Sequence, residues 1–140
     1  MNKPKVKLDV QVHWGDMDAM QHVNNIVYLK WVESARLLLM EELMGNGTAG
    51  KVEISPILAW SDIKYIAPVT YPDTVRVTFD IVKIEEDRIH GQAHLYSSKL
   101  DRLVAISNNT LKAYNMKLLQ KAPIPQRWVN LLREHYGDSI

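Results

Sequence analysis

Val6, Leu8, Val10, Val12 and Trp14 alternate with Lys5, Lys7, Asp9, Gln11 and His13. That two-residue period is the mark of a strand with one face in a core and the other in water. From residue 23 the period changes. Residues 23–44 hold many helix formers and few breakers, and the glycine-rich GNGTAG at 45–50 ends them, which predicts one helix of about six turns. At about 100° per residue, Lys30, Ser34 and Glu41 share a narrow polar stripe with Glu33 beside it, while Tyr28, Val32, Ala35 and Leu39 lie opposite. Apolar residues fill most of the flanks, so this helix is expected to be enclosed on more than one side.

Residues 52–66, 74–84, 88–97 and 103–114 read as four further strands, with turn chemistry at EEDR and SKLDR between them. In the second of these the apolar side changes from Val75, Val77, Phe79 and Ile81 to Val82 and Ile84, so a bulge is expected near residues 81 and 82. Pro123 and Pro125 precede QRWVNLLREHYG, a short amphipathic helix ended by Gly137. One strand, a long helix, four strands and a short helix make an α+β domain over residues 1–140, a five-stranded antiparallel sheet around a central helix. One such sheet cannot cover the helix and also protect its own edge, so self-association to a dimer is expected.

The 140 residues carry 17 Lys plus Arg against 16 Asp plus Glu, a formal charge of +1. That balance provides no long-range field to gather nucleic acid or an anionic membrane. With no cysteine, thiolate catalysis, disulfides and cysteine zinc sites are excluded together. MNKPKVKLDV has no apolar segment behind its charges, and no later run approaches the roughly 20 apolar residues of a membrane span. A soluble, cytoplasmic protein with no membrane or nucleic-acid partner is the expectation.

The chemistry is concentrated at WGDMDAMQHVNNIVYLKWVESAR, residues 14–36. Asp18 or Asn24 could cap the helix, with Asp16 a solvated charge and His22 a hydrogen-bonded loop residue. Capping needs only one or two of them. A helix N-terminus also presents unpaired N–H groups and the positive end of a dipole, which suits a developing oxyanion. Asp18 could then attack or activate water, and His22 could orient a carbonyl or handle a proton. His13, Asp16, Asp18 and His22 contain metal-ligand types, but His13 falls on the polar side of its strand and no two-histidine helical motif accompanies them. No metal is expected. Neither G-x-S-x-G nor a phosphate-binding glycine loop occurs.

HWGDMDAMQHVNNIVYLKWVESAR resembles the leading motif of hotdog-fold thioesterases, particularly the 4-hydroxybenzoyl-CoA thioesterase-like branch and the plant acyl-ACP thioesterases, whose pattern is roughly D-x-D-x-x-G-H-V-N-N-x-x-Y. The resemblance implies a hotdog fold and hydrolysis of an acyl-CoA or acyl-ACP thioester to a free acid and a thiol, with no cofactor beyond the phosphopantetheine of the CoA or ACP substrate. It implies Asp18 as the catalytic nucleophile or general base, His22 as the residue positioning the reacting groups and Asn24 as support. Backbone N–H groups of Asn24 and Asn25 would bind the thioester oxygen. Two departures stand out: Gln21 replaces the glycine of many bacterial members, and Met20 replaces the catalytic asparagine of the plant enzymes. The resemblance further implies a dimer, or a tetramer of two dimers, with sites at the subunit boundary. Met20, together with Trp60, Ser61 and Ile63 from the partner's LAWSDIKYIAPV, are then the substrate-binding candidates, and Tyr65, Pro68 and Asp73 are framework. A non-catalytic acyl-CoA-binding domain is the alternative function, and a hydroxyacyl-thioester dehydratase a third.

Overall fold

The computed structural model describes residues 6–45 and 53–140, so most of the glycine-rich helix stop and the first residue of the strand expected at 52–66 lie outside the described residues. Strand β1 (Val6–Gln11) leads through a 3-10 turn at Trp14–Asp16 into helix α1 (Asn25–Met44). Five strands follow: β2 (Ile54–Tyr65), β3 (Thr74–Ile84), β4 (Arg88–Ser97), β5 (Arg102–Asn115) and β6 (Gln120–Ala122), and then helix α2 (Gln126–Tyr136). The sheet is antiparallel in the order β1-β3-β4-β5-β2, with β6 paired to the end of β5. It therefore has six strands among the described residues rather than five. QKA is too short to show a period.

The sheet curls over one side of α1. Tyr28, Val32, Ala35 and Leu39, the side opposite the polar stripe, are at most 3% exposed, against Val75, Val77, Phe79, Leu95, Ala105 and Leu111 on the inner face of the sheet. The other half of the helix is uncovered, with Ile26 62% and Leu37 48% exposed. Enclosure on more than one side is thus not achieved within one chain. At the far end α2 buries Trp128, Leu132 and Tyr136, and Arg127 donates to Leu43 O.

Three register shifts set which side chains face α1. The expected bulge lies between Ile81 and Lys83, turning Val82 outward to 52% exposure. A second lies between Leu95 and Tyr96. The third, between Leu58 and Trp60, makes Ala59 the extra residue. Trp60 then lies opposite Thr110, while Ser61, Ile63 and Tyr65 lie opposite Asn109, Ser107 and Ala105. Cross-strand partners share a face. Ser61, Ile63 and Tyr65 therefore look toward α1, and Trp60 looks away from it. Trp14 also departs from expectation: Asp16 Oδ2 accepts from His13 N at 2.8 Å, the strand stops there, and Trp14 is 73% exposed.

Candidate functional site

The segment between β1 and α1 is pinned to the β2–β3 connection from both ends. Val12 N donates to Asp73 O at 2.9 Å and Val23 N to Val69 O at 2.8 Å. Asp73, buried, is held in turn: its Oδ1 accepts from Thr74 N at 2.7 Å and Lys99 N at 2.9 Å, and its Oδ2 from Ser97 Oγ. Its framework role is visible in those bonds.

Between the pins, residues 18–22 fold into a tight turn closed by Asp18 N to His22 O at 3.0 Å and Gln21 N to Asp18 O at 2.9 Å. Gln21 takes a left-handed φ of 62°, which explains why glycine is at home there. Asp18 is exposed. One carboxylate oxygen accepts from Met20 N at 2.9 Å; the other has no partner among the described residues. Asp18 borders a hollow of about 450 Å³ with Trp14, Met17, Gln21, Thr70 and Tyr71. Met20 stands at the tip of the turn, 77% exposed.

The helix starts two residues later than the sequence pattern suggests, because Asn24 is its cap: Oδ1 accepts from Ile26 N at 3.0 Å. Asn24 N is engaged too, donating to Asp16 O at 2.9 Å. Asn25 N is left with no acceptor among the described residues. Of the two N–H groups proposed from the sequence, only Asn25 therefore offers a free donor, at the positive end of the α1 dipole. Beside it, His22 lines a second hollow of about 240 Å³ with Asn25, Tyr28, Tyr65, Ala67 and Pro68.

Tyr65 and Tyr28, neither given a site role by the sequence, shape that hollow. Tyr65 OH donates to Asn25 O at 3.0 Å, Tyr28 OH accepts from Val69 N at 3.1 Å, and the rings meet edge-on at 5.0 Å. Burial raises both phenol pKa values above the ordinary one, so both stay neutral hydroxyls near pH 7. The signal in the sequence was Tyr28 three residues after Asn25, one turn along the helix.

Asp18, His22, Asn24 and Asn25 thus lie on and just beyond one turn, with Asp18 opening into one hollow and His22 and Asn25 into the other. Ile63 and Ser61 sit two and four residues before Tyr65 on the same face, about 7 and 14 Å along β2. Within one chain they border neither hollow, and Trp60 is on the far side of the sheet. Among the described residues no three His, Asp or Glu side chains are grouped as a metal site requires.

The sequence matches the thioesterase-like superfamily over residues 12–132. No match to curated proteins is found. Among solved structures, the 1,4-dihydroxy-2-naphthoyl-CoA thioesterase from Synechocystis superposes with a TM-score of 0.77 at 18% identity, covering 91% of this chain and 94% of that one. A DHNA-CoA thioesterase from Staphylococcus aureus gives 0.76 at 18%, covering 90% and 85%. A thioesterase complexed with coenzyme A and Zn from Thermus thermophilus gives 0.79 at 21%, covering 94% and 99%. At such identities the likeness carries the fold, which is the hotdog fold.

Proposed function

Because the chain belongs to the thioesterase-like superfamily, we propose that it hydrolyses an acyl thioester of coenzyme A or an acyl-carrier protein to a free acid and a thiol. The observation that carries this reading is the free Asn25 N–H at the start of α1, placed across one tight turn from the unpaired oxygen of Asp18. The thioester oxygen accepts from Asn25 N–H as charge develops on it, helped by the helix dipole. Asp18 takes a proton from water, the water oxygen bonds to the carbonyl carbon, the C–S bond breaks, and the proton passes to the thiolate. Attack by Asp18 itself, with later hydrolysis of the mixed anhydride, uses the same atoms. His22 orients the carbonyl, and no redox group is called on.

The test is thiol release from short, medium, long and aromatic acyl-CoA thioesters and from carrier-protein thioesters. Asp18→Asn is expected to lower kcat by about 10²–10⁴-fold. Activity that survives the change removes Asp18 from the mechanism. No release by the native chain from either carrier leaves the acyl-CoA-binding alternative.

Self-association is part of the same proposal. Strand β2 is a sheet edge, its Leu58 is exposed, and so are Leu29 and Leu37 on the open half of α1. Arg36, buried on α1, donates to Asn109 Oδ1 at 2.7 Å; among the described residues its Nε has no partner and its nearest carboxylate, Glu33, is 3.9 Å away. A second copy related by a two-fold axis would cover the exposed apolar half of α1. Sedimentation equilibrium is expected to show a dimer that Leu37→Glu dissociates; a monomeric native chain at micromolar concentration would refute this.

A further inference from the structure

Trp60 takes no part in either hollow. It stands on the outer face of β2, 55% exposed, opposite Thr110, whose Oγ1 lies 3.3 Å from His90 Nδ1. One step along β5 on that face is Lys112, opposite Arg88 of β4. One step beyond is Tyr114, opposite Lys121 of β6. Diagonal neighbours on a sheet face are about 7–8 Å apart, within reach of long side chains. Four strands thus bring an open indole and three cations to one end of the outer face.

The cations are poorly compensated. Arg88 is engaged by Asp87 through two bonds of 3.0 and 3.1 Å. Neither Lys112 nor Lys121 has a carboxylate within ion-pair distance among the described residues. Arg88, and then Lys121, press the Lys112 pKa below its ordinary value. Crowded like charges are relieved by an anion, and phosphate suits ammonium and guanidinium groups. A bare anion would leave the indole idle, whereas a nucleotide would use both, its base stacking on the ring as bases do on exposed aromatics.

We propose that Trp60, Lys112 and Lys121, with Arg88 beside them, form a nucleotide-binding site on the outer face of the sheet, the indole taking the base and the cations the phosphate. As the nucleotide end of a coenzyme A thioester the ligand rests on the hydrolase reading above; as a free nucleotide it does not. Adenosine 3′,5′-bisphosphate is titrated by calorimetry, at low salt, into the native chain, Trp60→Leu and Lys112→Gln/Lys121→Gln, with thermal melts establishing that both variants fold. Saturable binding that weakens about tenfold or more in each variant is the expected result. KM is then compared for one acyl group on coenzyme A and on pantetheine. A rise in the lysine variant for the coenzyme A ester alone, with kcat unchanged, assigns the nucleotide to the coenzyme; calorimetric loss with both KM values unchanged assigns a free nucleotide. Binding that is absent, or equal in native and variant chains, or matched by inorganic phosphate, overturns the site. A chain that hydrolyses pantetheine thioesters but binds no bisphosphate loses this site and keeps the hydrolase reading; one that binds bisphosphate through these residues but releases no thiol from any thioester does the opposite.

Discussion

Gly91→Ala sets two effects of opposite sign against each other. Gly91 lies in β4 facing α1, and its φ is outside the left-handed region. Backbone geometry alone would therefore favour alanine by about 0.4–1 kcal/mol, through a less flexible unfolded chain. A Cβ at this position would, however, stand 2.5 Å from Phe79 Cε1 and Cζ and 3.4 Å from Asp80 O. Phe79 is 0% exposed, so its ring has no room to retreat, and overpacking of this kind costs about 1–3 kcal/mol. The clash wins by roughly 0.5–2 kcal/mol. With an unfolding entropy of about 2.1 cal/mol/K per residue, that lowers Tm by roughly 2–7 °C. Calorimetric melts of the native chain, Gly91→Ala, Phe79→Leu and the double variant complete the cycle. Phe79→Leu removes the clashing atoms, so Gly91→Ala should cost little in that background, a coupling of about 1 kcal/mol or more. A stabilised Gly91→Ala, or strictly additive effects, would refute the packing argument.

Asp73→Ala strands Thr74 N, Lys99 N and Ser97 Oγ together, and urea unfolding is expected to show a loss of about 3–5 kcal/mol, with Asp73→Asn intermediate; a loss under 1 kcal/mol would mean water replaces the carboxylate freely. Glu85 is held below its ordinary pKa of 4.5 mainly by the hydrogen bond from His90 at 2.5 Å, with Lys83 and Arg88 adding to it. A lowered folded pKa contributes stability fully present above 4.5 and lost as pH falls through the folded value. In carboxyl-carbon NMR titrations the Glu85 midpoint should lie below 4.5 and rise toward it in His90→Gln; an unmoved midpoint would show that His90 is not the cause.

What could be read from the sequence was whatever rested on periodicity or on a local motif. The β1 alternation, the buried side of α1 and the bulge beyond Ile81 all follow from apolar positions that repeat or break a period. The shift at Ala59 was hidden because Leu58, Ala59 and Trp60 are apolar in succession, so no change of side marks it. The face assigned to Trp60 depended on it. In the polar loop, residue types showed that a site was present but not how its hydrogen bonds are divided. That Asn24 N is spent on Asp16 while Asn25 N is free follows from a fold in which residue 16 returns beside residue 24. Tyr65 reaches Asn25 across forty residues of chain, a distance no local pattern encodes.

The two pins of the Asp18 turn also impose a chronology. Val12 and Val23 are fastened to Asp73 and Val69, and Val6 pairs with Phe79. As the chain leaves the ribosome, the turn emerges before its anchors, which follow only after the whole of α1 and β2. Contacts between such distant segments form late, because a long loop must close before they reward it. The turn that carries Asp18 is thus made before everything that fixes it and is among the last parts of the fold to take its final shape.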